Sequence, residues 1–239
     1  MSKVILIASG KGGTGKTVFT ANAGAVLAQR GHKVVMIDMD MGLRSLDLYL
    51  GLEDKVVYDV VDVLSGLCRI RQALIRDKRF AGLYLMAAPP SGKYADITPL
   101  HMKVLCGKLK KSFDYILIDT PAGLNESVLM PAAGADSAVI ITTPEHAAVR
   151  DADIMYSVLT ENGLKDVKYV LNMVRRDLVS TGLVPGINEI ARKLKPDMAG
   201  IIQYDDNIHI AVNNGLPIVY KKGTYIEKNF ARIVDRITE

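Results

Sequence analysis

Short apolar runs recur along the chain, and each has the length of a buried β-strand. The first, residues 4–8, reads VILIA without a polar residue, which is typical of a parallel strand covered on both faces. Segments with helical spacing of apolar residues lie between these runs. The predicted strands span residues 4–8, 33–38, 83–87, 115–119, 138–142, 167–172 and 199–202, and the predicted helices span residues 17–30, 58–64, 99–110, 126–133, 145–161, 187–193 and 225–237.

This alternation predicts an α/β fold, in which a mostly parallel β-sheet is flanked by helices on both faces. No Pro/Ser-rich linker or low-complexity tract divides the 239 residues, so we expect one domain over residues 1–239. Sheets of this kind bind ligands at the carboxyl ends of their strands. The polar residues that follow the predicted strands are therefore the candidates for chemistry.

The segment after the first predicted strand, residues 10–17, reads GKGGTGKT and fits the phosphate-binding template G-x-x-x-x-G-K-[ST]. A strand before it and a helix after it supply the context that the motif needs. Its glycines permit a tight backbone whose N–H groups approach phosphate oxygens, and the helix N-terminus favours anions. We expect Lys16 to contact the β- and γ-phosphates and the Thr17 hydroxyl to bind Mg²⁺. The predicted nucleotide-binding loop comprises Gly10, Lys11, Gly12, Gly13, Thr14, Gly15, Lys16 and Thr17, with Val18 next to it.

Carboxylates end two of the predicted strands. Asp119 follows a run of apolar residues, and Asp38 and Asp40 follow another. An aspartate that leaves the sheet beside a phosphate loop can hold Mg²⁺ directly or through water. We expect this metal-binding role for Asp119 and also for Asp38, and a role in orienting the attacking water for Asp40. A helix cap or a solvated loop charge is the alternative for each of them.

The base that the site accepts is indicated by a missing motif. Guanine-specific proteins carry Asn-Lys-x-Asp after a late strand, whereas here Asn172 is followed by Met-Val-Arg. Adenine is therefore favoured. Asn172, Gln203 and Asp205 are predicted to contact or wall the adenine, and ordinary turn residues are the alternative for all three.

The composition of the chain narrows the class of protein further. The formal charge of +4 arises from 30 basic and 26 acidic residues spread along the chain, which does not favour DNA or RNA as a partner. Cys68 and Cys106 are far apart, and the histidines show no metal-site spacing. Lys3 precedes an apolar run that enters the phosphate loop directly, so we expect no signal peptide and a cytoplasmic location.

Several segments together resemble a known family. They are the loop KGGTGKT at residues 11–17, IDMDMGLRSLD at 37–47, DTPAG at 119–123, VVYD at 56–59 and AVRDAD at 148–153. The chain resembles the MinD/ParA family of deviant Walker A ATPases, and particularly its MinD branch, from Lys3 to about Arg236. The resemblance rests on motifs that other phosphate-loop proteins lack, above all the additional Lys11.

The resemblance implies an ATPase that regulates placement of the bacterial division septum. It implies an ATP-dependent homodimer in which Lys11 of one subunit reaches the phosphates of the other, so that Lys11, Lys16, Asp38, Asp40 and Asp119 form the catalytic set. It also implies a division inhibitor and a hydrolysis-stimulating protein as partners, at a surface that includes Arg150, Asp151 and Asp153. Peripheral contact with the inner face of the cell membrane is a further expectation.

Departures from the family pattern leave alternatives open. Val18 stands where relatives usually place a hydroxyl, Ser45 replaces an Asn and Gln203 replaces a Pro. Relatives usually end in an amphipathic membrane-binding helix; the apolar stripe of residues 225–237 is predicted to pack in the core, with an interfacial helix as the alternative. The other functions considered are a ParA-like partitioning or flagellum- or pilus-positioning ATPase that acts through DNA or a protein scaffold, and a nucleotide switch without hydrolysis.

Overall fold

The strands form one sheet in a computed structural model that describes residues 2–90 and 97–239. They are β1 (Lys3–Ala8), β2 (Val34–Asp38), β3 (Ile75–Arg76), β4 (Leu83–Met86), β5 (Tyr115–Asp119), β6 (Ser137–Thr142), β7 (Asp166–Val174) and β8 (Asp197–Gln203). In space they follow the order β3-β4-β2-β5-β1-β6-β7-β8. Only β3 pairs antiparallel among the described strands, with β4. The predicted α/β class and the mostly parallel sheet are confirmed.

Helices cover both faces of this sheet. They are α1 (Lys16–Gln29), α2 (Leu46–Tyr49), α3 (Val60–Leu64), α4 (Ile70–Ala73), α5 (Pro99–Leu109), α6 (Glu126–Ala132), α7 (His146–Glu161), α8 (Arg176–Ser180), α9 (Ile187–Lys193), α10 (Asp206–Asn213) and α11 (Tyr225–Thr238), with 3₁₀ turns at Glu53–Lys55 and Ile218–Tyr220. Alternate residues of β1 enter opposite cores: Leu6 packs in the core that contains α5 and α7, and Ile7 in the core that contains α1 and α11. Both faces of β1 are therefore buried, as its apolar run predicts.

The order of the strands positions the functional site. β1 lies between β5 and β6, and both of its neighbours come from much later in the chain. The carboxyl ends of β1, β2 and β5 consequently lie side by side, and Asp38 and Asp119 occupy paired positions in the register. Connections leave this point toward opposite sides of the sheet, which opens a crevice for a ligand.

The predicted helices are found with small shifts at their ends. The helix predicted for residues 58–64 begins later, at Val60, because Asp59 is its N-cap and forms a capping box with Asp62. Thr98 caps α5 in the same way, and Pro99 takes the first helical position, where no N–H is needed. The predicted stripe of α11 faces the core: Phe230, Ile233 and Val234 are among its buried residues.

The strand predicted for residues 167–172 is longer in the structure than the sequence indicates. β7 runs on to Val174 and has a register irregularity against β8 between Leu171 and Val174. Met173 has a φ of +56° there, which is uncommon for a residue with a side chain. This bulge turns Asn172 toward the phosphate loop, as described below.

The sequence pattern missed β3 and four helices, α2, α4, α8 and α10. All except α10 are too short to show a period, and α10 exposes most of its residues, so it lacks the buried stripe by which a helix is recognised. Among the described residues, no helix combines the length and the apolar character that crossing a membrane requires.

Arg79 joins three separate segments beside the sheet. Its guanidinium forms an ion pair with the buried Asp77 at 2.6 Å, donates to the carbonyl of Gly215 at 2.8 Å and also donates to the carbonyl of Leu50. At this point Gly51 and Gly215 touch: a Cβ on Gly215 would lie 2.8 Å from the Cα of Gly51. Arg79 therefore ties the end of α2 to the end of α10.

We expect Arg79→Ala to lower the free energy of unfolding by about 2–3 kcal/mol, because the buried carboxylate of Asp77 loses its charged partner and keeps the backbone N–H of residue 79. Urea denaturation followed by circular dichroism measures this change. Arg76→Ala is the matched control, since Arg76 is exposed on the neighbouring strand. Equal midpoints for the two variants would contradict the role given to Arg79.

Candidate functional site

The phosphate loop leaves β1 and enters α1 within a few residues. Gly13 and Gly15 have φ values of +77° and +89°, in the left-handed region that glycine adopts without strain. The Ser9 hydroxyl donates to the carbonyl of Lys11 at 2.8 Å and closes the first half of the loop. The buried hydroxyl of Thr14 has no hydrogen-bond partner among the described residues. The loop is thus a concave run of backbone N–H groups at a helix N-terminus, which is the arrangement that binds phosphate.

Asn172 buttresses this loop from behind. Its side-chain amide donates to the carbonyl of Thr14 at 2.8 Å and is buried. A Cβ on Gly15 would lie 2.3 Å from the Nδ2 of Asn172, so only glycine fits there. The predicted contact of Asn172 with the adenine remains a prediction, while the structure places its amide against the loop.

Lys16 is the buried cation of the site. It is 8% exposed, and burial lowers the pKa of its ammonium, whereas the nearby carboxylates of Asp119 and Asp40 raise it. A desolvated ammonium group binds an incoming anion strongly. The geometry therefore fits the predicted contact with the β- and γ-phosphates.

Asp119, at the end of β5, is fully buried. Its Oδ1 accepts a hydrogen bond from the Thr20 hydroxyl at 3.2 Å, and the Thr17 side chain contacts the same carboxylate. Its Oδ2 has no hydrogen-bond partner among the described residues. Burial, and next to it the charge of Asp38, raise the pKa of Asp119. A buried carboxylate oxygen normally has a hydrogen-bond partner or a bound cation. A cation at Asp119 would supply the missing interaction.

Asp38 and Asp40, for which different roles are predicted, have different surroundings. β2 ends at Asp38 and does not continue between them. Asp38 is buried, and its oxygens accept from the backbone N–H groups of Asp40, Ser45 and Leu46 at 2.9, 3.2 and 3.1 Å. Burial raises the pKa of Asp38 to about 6, although these hydrogen bonds act to lower it. In this structure Asp38 holds the loop that follows β2. Its predicted role as a metal ligand stays a prediction.

Asp40 is half-buried at the start of that loop. One of its oxygens accepts from the N–H groups of Gly42 and Leu43 at 3.3 and 3.2 Å, and the other oxygen has no hydrogen bond to a described residue. Its charge raises the pKa of Lys16, so it lies in the neighbourhood of the phosphate site. This position is compatible with the predicted role in orienting water.

A narrow pocket lies beside the phosphate loop, where adenine is predicted to bind. It is lined by Val18, Phe19, Asn172, Met173, Ile202, Gln203, Tyr204, Asp205, Ile208, His209 and Phe230. Asn172, Gln203, Asp205 and Val18, which were predicted separately, thus share one pocket. Asp205 caps α10 by accepting from the N–H of Asn207 at 2.8 Å. With its amide oriented to suit its neighbours, Gln203 accepts from Arg176 and donates to Tyr225.

Lys11 lies at the exposed edge of the phosphate loop. Its Nζ is 2.6 Å from an oxygen of Glu145, which is the residue that precedes α7. The second turn of α7 also touches the loop, because a Cβ on Gly10 would lie 2.6 Å from the carbonyl oxygen of Asp151. Lys11 is therefore on the surface, as a residue that acts on a second subunit must be.

Part of the predicted partner surface lies on the outer side of α7. Arg150 is exposed and pairs with Asp151 at 3.2 Å, and Asp153 lies 3.8 Å from Lys195. A shallow cavity next to them is lined by Arg150, Asp153, Ile154 and Lys193, among others. Asp151 is half-buried against Gly10, and Asp153 is half-buried as well, with an Oδ1 that is buried and has no hydrogen-bond partner among the described residues. Arg150 is thus the most accessible of the three.

The residues present fit Mg²⁺. Asp119 offers a buried oxygen without a partner, and the Thr17 hydroxyl lies beside the same carboxylate. No group of three or more His, Cys, Asp or Glu side chains within the described ranges could hold a metal alone. That is expected for Mg²⁺, which takes one or two protein ligands and completes its shell with phosphate oxygens and water.

The fold and this site define a phosphate-loop nucleotide-binding protein, with a second lysine in the loop and two aspartate-bearing strand ends next to it. The model of the CobQ/CobB/MinD/ParA nucleotide-binding domain matches residues 5–218. The chain belongs to this MinD/ParA family.

Known relatives agree with that assignment. The chain is 41% identical over 237 residues to the septum site-determining protein MinD of Bacillus subtilis (strain 168), which covers 97% of this chain and 88% of that protein. Its fold is similar to MinD in the MinC:MinD cell division protein complex of Aquifex aeolicus, with a TM-score of 0.91 and 35% identity over 99% of this chain and 96% of that one. The septum site-determining protein MinD of Pyrococcus horikoshii, complexed with Mg-ADP, gives a TM-score of 0.90 and 28% identity over 100% and 97% of the chains.

Three contacts of the site were not found from the sequence. Thr20 holds Asp119, Ser9 closes the loop, and Glu145 binds Lys11. Thr20 and Glu145 are distant in sequence from the residues that they contact. Ser9 immediately precedes the phosphate-loop motif, and this position was the only feature of the sequence that pointed to its contact.

Proposed function

We propose that this chain is an ATP-dependent switch that regulates placement of the division septum in a bacterium. It binds ATP with Mg²⁺, pairs with a second copy and hydrolyses ATP to ADP and phosphate. The observation that carries the proposal is the buried Asp119 carboxylate, with one oxygen unpartnered, next to Lys16 and Thr17 of the phosphate loop. The similarity to MinD proteins over nearly the whole chain supports the cellular role.

Each residue of the site has a separate role in the proposed phosphoryl transfer. The loop N–H groups and Lys16 bind the β- and γ-phosphates and stabilise the charge that develops on them. Thr17 and Asp119, with Asp38 as a further candidate, would hold Mg²⁺, which when bound offsets charge on the phosphate oxygens. Asp40 would orient the attacking water with its uncommitted oxygen. Asn172, Gln203 and Asp205 would wall the adenine.

The paired ends of β2 and β5 connect the nucleotide site to the loop that follows β2. The N–H of Met39 donates to the carbonyl of Asp119 at 2.8 Å, and Asp38 fixes the loop up to Leu46. A change in the contacts of Asp119 on hydrolysis would therefore be transmitted to the loop after β2. Leu43 on this loop is 81% exposed, so the change would reach the surface.

Pairing of two copies would complete the catalytic site. Lys11 is at the edge of the loop and exposed, so it would reach the phosphates of the second subunit rather than its own. A cation supplied in this way makes dimerisation and catalytic competence one event. An inhibitor of division of the MinC type and a protein that stimulates hydrolysis would dock at Arg150, Asp151 and Asp153. Peripheral contact with the inner face of the membrane would give the dimer its place of action.

The effect of Lys11→Ala tests this mechanism. We expect the variant to bind ATP as a monomer but to lose ATP-dependent dimerisation, and its turnover to fall about 10-fold or more, because the phosphate charge is no longer offset across the interface. Light scattering coupled to size-exclusion chromatography, in ATP and in ADP, measures the dimer, and phosphate release measures turnover. Lys165→Ala, at an exposed lysine in the loop before β7, is the control. Wild-type dimerisation by Lys11→Ala would refute the proposal.

Co-sedimentation distinguishes the septum role from a partitioning role. ATP-dependent sedimentation of the wild-type chain with vesicles of anionic phospholipid supports a membrane-based role. Retention on duplex DNA that weakens as salt rises would instead favour a partitioning ATPase. ADP in place of ATP provides the control for both measurements.

A further inference from the structure

Lys11 is held by its own subunit. Its ammonium is 2.6 Å from Glu145, and the two side chains are 44% and 55% exposed. The backbone at Lys11 is fixed separately, because its carbonyl accepts from Ser9. Glu145 is therefore the contact that determines where the end of the Lys11 side chain lies in the monomer.

The proposed action of Lys11 on a second subunit requires this ion pair to separate, since the ammonium must move to phosphate oxygens elsewhere. An exposed ion pair contributes little free energy, whereas a triphosphate offers several charged acceptors at once. The exchange is therefore feasible when nucleotide is present on the opposing chain.

We propose that Glu145 is a positioning residue that retains Lys11 on its own subunit until a second, nucleotide-bound copy of the chain presents its phosphates. The ion pair competes with dimerisation and so raises the protein concentration at which the dimer forms. This inference rests on the proposed function, because it gives a consequence to the movement of Lys11 between subunits.

The position of Glu145 connects this competition to the outer surface of α7. Glu145 begins the helix, and Asp151 on the same helix packs against Gly10 of the phosphate loop. Arg150 on this helix is exposed, and Asp153 is half-buried. A small displacement of α7 by a docked protein would therefore move Glu145 relative to Lys11, which links docking to the availability of the lysine.

The first test concerns the ion pair in the monomer without nucleotide. Acetylation of lysines with an N-hydroxysuccinimide ester, followed by mass spectrometry, reports how freely each amine reacts. We expect Glu145→Gln to increase the rate at Lys11 at least about 2-fold, the lower range for loss of an exposed ion pair, with Lys165 unchanged. Glu161→Gln, the same change at the other end of α7, serves as the control. An unchanged rate at Lys11 would overturn the inference.

The second test concerns the dimer. With a non-hydrolysable ATP analogue, Glu145→Gln should lower the protein concentration at half-dimerisation by about 2- to 20-fold, because two such pairs separate in each dimer. Glu161→Gln should match the wild type. An unchanged or weaker dimer in Glu145→Gln would overturn the inference.

Lys11→Ala in the same series of variants distinguishes failure of the proposed function from failure of the role given to Glu145. If Lys11→Ala still forms the dimer, the proposed function fails. If it does not, while Glu145→Gln also fails to strengthen the dimer, only the role of Glu145 is rejected.

Discussion

Replacing Lys16 with alanine is expected to lower the affinity for ATP by roughly 100-fold or more, equivalent to about 3 kcal/mol. Lys16 is the buried cation of the phosphate loop, and its ammonium lies near the carboxylates of Asp119 and Asp40. Without it, phosphate oxygens would enter a site whose nearest side-chain charges are negative. The loss is therefore larger than that of one hydrogen bond, because repulsion replaces attraction.

Isothermal titration calorimetry with ATP and with ADP measures this effect. Lys165→Ala is the matched control, since it removes an exposed lysine outside the site. Circular dichroism must show a folded Lys16→Ala variant. A folded variant that binds ATP with wild-type affinity would show that residues 10–17 do not form the phosphate site.

Asp119→Asn is expected to reduce Mg²⁺-dependent ATP hydrolysis roughly 100-fold or more. The substitution keeps the shape of the side chain and an acceptor for the Thr20 hydroxyl, but it removes the charge of the buried, unpartnered oxygen. A neutral amide is a much weaker partner for a divalent cation. Phosphate release as a function of Mg²⁺ concentration measures the loss, and Asp114→Asn, at an exposed aspartate before β5, is the control.

The same variant should change the dependence of stability on pH in the absence of nucleotide and metal. Burial and the neighbouring Asp38 raise the pKa of Asp119 in the folded chain, so the folded state retains a proton that the unfolded chain has lost. Ionisation therefore costs stability as the pH rises above the unfolded pKa of about 4, until the folded carboxylate also ionises.

We expect the free energy of unfolding of the wild type to decrease from pH 5 to pH 8, and that of Asp119→Asn to decrease by roughly 1–3 kcal/mol less. Urea denaturation at both pH values measures the difference. Equal pH dependence for the two proteins would indicate that the Asp119 carboxylate is not kept in the protonated form by its surroundings.

All strands except β3, and the phosphate loop, could be predicted from the sequence because their signals are local. An uninterrupted apolar run indicates a buried strand, and the loop motif has fixed spacing between a strand and a helix. Different roles for Asp38 and Asp40 were also predicted. The partners were not, since the N–H groups that Asp38 accepts from belong to a loop whose path no periodicity describes.

Asn172 illustrates the limit of local patterns. Its apolar neighbours indicate a strand and suggest an end at residue 172, but β7 continues through a bulge to Val174. The bulge brings the amide of Asn172 to the carbonyl of Thr14, a residue 158 positions away. No pattern within one strand encodes that contact, because it depends on which strands become neighbours.

The sequence alone therefore determined the α/β class, the phosphate loop and the aspartates at the strand ends, since each follows from the chemistry of adjacent residues. Only the tertiary structure decided that Asp119 keeps an unpartnered buried oxygen, that Asp38 holds a loop, and that Lys11 is paired with Glu145. The first and third of these facts depend on segments distant in the chain that the strand order brings together, and local propensity contains no information about such contacts. The second depends on the path of a loop that no periodicity describes.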